Sequence, residues 1–216
     1  SALDDTILGS ADDNILSGGS GDDTLSGGLG SDHIDGGSGT DTVSFEYANR
    51  PETQSGIDVS LGGSSDSGFT RNEDDRIDAV ENVEGSAGND RIQGSTSGNV
   101  IDGGAGDDQI SGLEGNDTLS GQDGDDRLYG GEGDDLLSGG EGDDLLFGES
   151  GDDIFVAGNG QDTIVGGEGE DTFVSGQDIS AYTFDRLGDG LQITDQLTGD
   201  VTVVREVEQF QFGDQA

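Results

Sequence analysis

Residues 130–147 read Gly130-Gly131-Glu132-Gly133-Asp134-Asp135-Leu136-Leu137-Ser138 and then Gly139-Gly140-Glu141-Gly142-Asp143-Asp144-Leu145-Leu146-Phe147, one nine-residue unit twice over. Written as Gly-Gly-x-Gly-x-Asp-x-U-x, with U apolar, the unit opens at Gly9, Gly18, Gly27 and Gly36, after a half repeat at Asp5-Thr6-Ile7-Leu8. It returns at Gly85 and keeps its register every nine residues to the repeat that opens at Gly166. The 14 full repeats cover residues 9–44 and 85–174. The two blocks are out of phase by 49 residues, which is not a multiple of nine, so residues 45–84 are an insertion.

The columns of this repeat carry the chemistry. Position eight is apolar in all 15 cases, although only 28% of the chain is apolar. Position six is Asp in 13 of 15, the exceptions being Asn14 and Asn99; position four is Gly in 12 of 14, the exceptions being Asp12 and Ser97. Both sets of exceptions fall in the repeats that open at Gly9 and Gly94, which suggests that the two columns serve one purpose. One apolar residue in nine is too sparse for a helix stripe. It suits a short strand with U inward and its neighbours outward. The six residues before it make a turn, where Gly permits unusual backbone angles and close approach of carbonyls to a ligand. Strand plus turn, repeated, winds into a solenoid of 18-residue coils with two parallel sheets, stabilised by stacking of repeats.

Composition alone argues the opposite. The chain has 216 residues, 49 Asp and Glu against 7 Arg, a net charge of −42, and 43 Gly. Averages of that kind describe a chain that stays disordered. They also exclude nucleic acid and anionic membrane surfaces as partners. There is no run of 18 apolar residues and so no membrane insertion is expected. The N-terminal Ser1-Ala2-Leu3-Asp4-Asp5 reads as carrying no secretory signal peptide. Absence of Cys excludes disulfides, Cys-ligated zinc and thiol catalysis. What such a chain wants is cations. Stacked turns bring carboxylates to about 5 Å from one another, the strand spacing, which is strongly unfavourable without a counter-charge. The ligands on offer are carboxylates and turn carbonyls, all hard oxygens, which select Ca2+ over Zn2+ or Cu2+ and, less sharply, over Mg2+.

Gly130–Ser138 and Gly18–Ser26 resemble the nonapeptide of the RTX (repeats-in-toxin) family, a calcium-binding parallel β-helix pattern. The resemblance covers about 126 residues. It implies an all-β chain, a parallel β-roll (β-solenoid) with 18-residue coils; the register break and the late turn residues add one irregular insertion and a C-terminal antiparallel β cap. The parts expected are a first roll block at 1–44, the insertion at 45–84, a second block at 85–174 and a β-hairpin cap at 175–216. The resemblance further implies that multiple Ca2+ ions lie between turns, each shared by the position-six Asp of one repeat and of the repeat two further on. The residues so implied are Asp5, Asp23, Asp32, Asp41, Asp90, Asp108, Asp117, Asp126, Asp135, Asp144, Asp153, Asp162 and Asp171, with the position-one residues Gly18, Gly36, Gly103, Gly112, Gly121, Gly130, Gly139 and Gly148. Eight pairs in the second block and three in the first give up to eleven ions, or +22 against −42. Pairs that include Asn14 or Asn99 are expected to bind weakly or not at all.

Within the insertion, Ile57-Asp58-Val59-Ser60-Leu61 alternates as a strand and residues 62–75 read as a loop. An irregular coil of the same solenoid is the preferred reading over a separate domain. Arg50, Arg71 and Arg76 cluster there, as surface charge balance or, less favoured, a carbohydrate or carboxylate site. Outward positions become apolar late in the chain, with Tyr129, Leu145, Phe147 and Val165 expected on one face. The segment 181–212, with turns at Gly188-Asp189-Gly190 and Thr198-Gly199-Asp200, is expected to cap the last coil; dimerisation through the late-repeat patch is the alternative, against a monomer.

No HExxH or G-x-S-x-G motif occurs, and His33, at an outward position, is expected to be solvated. The chain is read as not an enzyme. Position three shows no row of identical residues of the kind an ice-binding solenoid needs. The function expected is that of a calcium-binding module, unfolded at low Ca2+, that folds outside the cell or at the bacterial surface. The resemblance implies export by a type I exporter, whose signal is not evident in Phe210-Gln211-Phe212-Gly213-Asp214-Gln215-Ala216. Two alternatives stay open: a rigid calcium-dependent segment of a cell-surface adhesin, and a polysaccharide-binding module attached to a secreted enzyme.

Overall fold

A computed structural model describes residues 2–45, 55–61, 68–69 and 73–213. Glu46, Tyr47, Arg50, Arg71, most of the 62–75 loop and the last three residues lie outside the described residues. Each repeat places its U residue in a short strand that pairs in parallel with the strand one coil away. On one face Ile101 pairs with Leu119, Leu119 with Leu137 and Leu137 with Phe155. On the other Ile110 pairs with Leu128, Leu128 with Leu146 and Leu146 with Ile164. Every step is 18 residues, so consecutive repeats alternate between two walls, and the chain is an all-β parallel β-roll. Among the described residues there is no α-helix, only a 3-10 turn at Ile179–Ala181.

The first wall is a ten-stranded sheet from Thr6–Ser10 to Gln209–Phe212. It crosses the insertion without a gap, because Thr42–Ser44 pairs directly with Asn82–Ser86. The second wall is divided there. Arg76–Asp78 adds behind His33–Ser38 and ends a three-stranded sheet, whereas Ser55–Ser60 adds in front of Asn89–Gln93 and belongs to an eleven-stranded one. His33 is not simply solvated: its Nε2 lies 3.0 Å from Asp78 Oδ2 on the added strand.

Between the walls runs one file of apolar side chains per sheet. Leu25, Ile34, Val43, Ile110, Leu119, Leu128, Leu137, Leu146, Phe155 and Ile164 are completely buried. Each such burial stabilises by about 1.5–3 kcal/mol. Outward columns carry the late apolar residues: Tyr129, Phe147 and Val165 are in register on one sheet, with the Tyr129 and Phe147 rings stacked 5.1 Å apart.

At the C-terminus Tyr182–Leu187, Gly190–Asp195 and Val201–Arg205 form the antiparallel meander that its turn residues signal. It also does something that the turns do not announce. Val201–Arg205 runs parallel to Gln161–Glu168, and Gln209–Phe212 runs parallel to Thr172–Ser175. The cap therefore adds a strand to both walls. Phe212, Tyr182 and Phe184 pack together at that end, with Phe212 also 5.9 Å from the Phe173 ring.

Leu128→Ala should cost about 2–5 kcal/mol in urea unfolding at saturating calcium, through lost transfer energy and a cavity. Leu136→Ala, at a neighbouring outward position that is 39% exposed, should change stability by less than about 0.5 kcal/mol. Equal costs at the two positions would contradict the assignment of the core.

Candidate metal centre

The repeat turn brings each position-six carboxylate to the inside of the corner. Asp23, Asp41, Asp108, Asp117, Asp126, Asp135, Asp144, Asp153, Asp162 and Asp171 are all at most 2% exposed. One oxygen of each is tied to the preceding coil. Asp126 N donates to Asp144 Oδ1 at 2.9 Å, Asp117 N to Asp135 Oδ1 at 2.8 Å, and Asp153 N to Asp171 Oδ1 at 3.0 Å. The bond recurs in the first block, from Asp5 N to Asp23 Oδ1 at 2.8 Å, from Asp23 N to Asp41 Oδ1 at 2.8 Å, and from Asn14 N to Asp32 Oδ1 at 2.8 Å. Residues two repeats apart are thus adjacent in space, as the repeat arithmetic requires.

The second oxygen is different. Oδ2 of each of those ten Asp residues is buried without a hydrogen-bond partner. A buried polar atom without a partner costs about 1–3 kcal/mol, and more when charged. Neighbouring carboxylates about 5 Å apart add about 3 kcal/mol per pair at an effective dielectric constant near 20. The position-one glycines make the space around this oxygen. A β-carbon on Gly112 would overlap Asp117 Oδ2 and would stand 2.8 Å from Gly130 O of the next coil. Gly121 has the same relation to Asp126 and Gly139 O, and Gly130 to Asp135 and Gly148 O. In the first block Gly18 meets Asp23 and Gly36 O; Gly103 stands likewise against Asp108 and Gly121 O. Each corner is therefore lined by an orphaned carboxylate oxygen and a main-chain carbonyl. Among the described residues no three His, Asp or Glu side chains converge. An oxygen-only set of carboxylate and carbonyl fits Ca2+.

The same burial perturbs ionisation. Asp108 is pushed up to about 8, Asp144 and Asp153 to about 7, and Asp126, Asp135 and Asp162 to about 6. Burial is the largest cause; the amide bond from the preceding coil opposes it, and nearby carboxylates reinforce it. Asp90, Asp117 and Asp171 are raised as well, mainly by burial.

Three turns are closed differently, and each has Ser at position two. Ser86 N and Oγ donate to Asp90 Oδ2 and Oδ1 at 2.6 and 2.8 Å, and Ile57 N also reaches Asp90 Oδ1 at 2.9 Å. Ser95 N donates to Asn99 Oδ1 at 2.7 Å, while Asn99 Nδ2 donates to Glu81 O of the previous coil at 2.6 Å. Ser10 N donates to Asn14 Oδ1 at 2.6 Å. Position two is left-handed in the other turns, even where it is not glycine: φ is 88° at Leu113, 79° at Gln122 and 77° at Glu149. It is not left-handed at Ser10, Ser86 or Ser95. These three turns satisfy their own side-chain oxygens, and Asn99 supplies an N–H toward the neighbouring coil.

Repeat reading also missed a second ladder on the outside. Asp143 N donates to Asp125 Oδ1, Asp152 N to Asp134 Oδ1 and Asp125 N to Asp107 Oδ1, at 2.9–3.1 Å. It runs opposite to the inner ladder, so the coils that carry it are clipped from both sides. The recurring Asp-Asp at positions five and six was its visible signal.

For a metal-free chain the raised values set a pH dependence. The folded carboxylates bind protons that the unfolded ones, near 3.8, release, so folded stability falls as pH rises through about 6–8. In calcium-free buffer, far-ultraviolet circular dichroism should show more β structure at about pH 5 than at pH 8. Invariance over that range would contradict the burial of charge described above.

The family described as RTX calcium-binding nonapeptide repeat (4 copies) matches residues 1–33, 8–43, 84–119, 111–146, 120–155 and 147–179. Together these are 139 of the 216 residues. No curated protein matches the chain. Among solved structures it is similar to the extracellular lipase LipA from Serratia marcescens, with 18% identity and a TM-score of 0.31. The similarity covers 96% of this chain and 37% of the lipase.

Proposed function

The chain belongs to the RTX calcium-binding nonapeptide-repeat family, and on that premise we propose that it is a module whose folding is switched by calcium. The observation that carries this reading is the row of ten buried Asp oxygens without a partner. Such a row opposes folding while the carboxylates are charged and bare. Ca2+ bound between coils offsets both the desolvation and the repulsion, so binding energy becomes folding energy. The ligands we assign are these position-six carboxylates, together with Asp5 and Asp32, and the position-one carbonyls of the next coil. The turns of Asn14, Asp90 and Asn99 are closed by Ser and are assigned no ion.

Extracellular calcium modules bind at about 10⁻⁴–10⁻³ M, far above resting cytosolic levels. Such a chain is extended and exportable inside a bacterium and folds outside. That supports a role in type I export and in the extracellular stability of a longer protein. The module itself is read as non-catalytic. Any activity of the longer protein, whether exoenzyme or adhesin, belongs to other segments.

The test is circular dichroism and small-angle scattering with and without calcium. Without Ca2+ at pH 7.5 the radius of gyration should approach the value of an unfolded chain of this length, about 50 Å. At saturating Ca2+ it should fall to less than half of that, with β structure appearing in parallel. A compact β structure that survives complete chelation would overturn the proposal.

A further inference from the structure

We propose two further calcium sites at the corners that leave the nine-residue register, where Glu81 and Glu208 stand in for the position-six Asp. The inference deepens the reading above and rests on it. Residues 77–84 read Ile77-Asp78-Ala79-Val80-Glu81-Asn82-Val83-Glu84, and residues 204–211 read Val204-Arg205-Glu206-Val207-Glu208-Gln209-Phe210-Gln211. Neither fits the nonapeptide, and they lie in different parts of the chain: the insertion and the cap. The structure gives them the same job. Ile77 pairs with Ile34 and Val83 with Val43, so a six-residue step lies beside a nine-residue one. Val204 pairs with Ile164 and Phe210 with Phe173, again six beside nine.

The two short corners agree in detail. Each turns on one left-handed residue that is not glycine, Ala79 at φ 51° and Glu206 at φ 54°. The amides of Glu81 and Asn82 donate to Asp41 O at 3.1 and 2.9 Å; those of Glu208 and Gln209 donate to Asp171 O at 3.2 and 2.9 Å. Glu81 Oε2 accepts from Asp41 N at 2.8 Å and Glu208 Oε2 from Asp171 N at 3.0 Å. That is the bond that an Asp Oδ1 makes in regular coils. The extra methylene of Glu reaches where the shortened turn would leave an Asp too far back.

The cradle is preserved as well. Asp41 and Asp171 are 0% exposed, and their Oδ2 atoms have no hydrogen-bond partner. A β-carbon on Gly36 would run into Ala79 O and Asp41 Oδ2, and one on Gly166 into Glu206 O and Asp171 Oδ2. Ala79 O and Glu206 O thus occupy the place that Gly130 O holds beside Gly112. Each corner presents a buried orphaned carboxylate oxygen, a second carboxylate in the ladder position and a main-chain carbonyl. That is the donor chemistry of the regular turns, for a hard divalent cation. A Ser turn shows the contrast, since there the oxygens are already satisfied.

Calcium stoichiometry of the whole chain, measured by equilibrium dialysis at saturating Ca2+, tests this. Glu81→Gln and Glu208→Gln should each bind one ion fewer than the parent. Glu84→Gln and Glu168→Gln, which remove the same charge from other positions, should bind the parental number. Parental stoichiometry in Glu81→Gln or Glu208→Gln overturns the site concerned. Should a variant fail to fold, the parent chain labelled with 13C at the glutamate carboxyl answers instead by isotope-edited infrared spectroscopy. A shift of the glutamate carboxylate band on calcium binding is expected. A glutamate band that stays put while an aspartate-labelled chain shifts overturns these two sites and leaves the switch intact. Absence of a shift in both overturns the switch itself.

Discussion

The whole structure depends on one arrangement: a position-six carboxylate that gives one oxygen to the amide of the preceding coil and keeps the other buried without a partner. The amide bond sets the coil spacing and register. The other oxygen, buried without a partner, makes that register costly while the carboxylate is charged. The apolar file between the walls is only one side chain deep per sheet, so it cannot offset a row of buried charges. Under the proposed calcium switch the same atoms carry stability and ligand binding, and the acidity that looks like a bar to folding becomes the ligand set.

Along the chain this device is interrupted at defined places. The Ser turns at residues 10–14, 86–90 and 95–99 close on themselves, with Asn99 Nδ2 bonding across to Glu81 O. An amide N–H there satisfies a carbonyl of the neighbouring coil directly. Two of these turns stand together at the start of the second block, directly after the insertion. The longest uninterrupted row of orphaned oxygens follows them, from Asp108 to Asp171.

Much of this was legible in the residues. The columns at positions six and eight predict the 18-residue coil, the two walls and the inward Asp row, because a strict period leaves few geometries. Asn14 and Asn99 were visible as defects. That both Asp90 oxygens are taken up within its own turn was not, since the signal lay in Ser86, four positions earlier. Val201–Val204 was legible as a strand, but that it and Arg76–Asp78 continue the walls in parallel escaped for a related reason. Their corners to the next strand take six residues, so counting by nine breaks exactly where the solenoid continues. Tertiary pairing, not local sequence, restores the register there. The outer ladder of Asp107, Asp125 and Asp143 was signalled by the recurring Asp-Asp, but solvated turn carboxylates are the ordinary reading of such a column.

Anomalous diffraction from crystals of the calcium-loaded chain tests the central claim most directly. A calcium peak is expected beside Oδ2 of each inner-ladder Asp from Asp108 to Asp171, for example between Asp117 and Gly130 O, and none in the turns closed by Ser86 and Ser95. Inner carboxylates that are protonated or bonded only to water, with calcium confined to the outer Asp column, would contradict it.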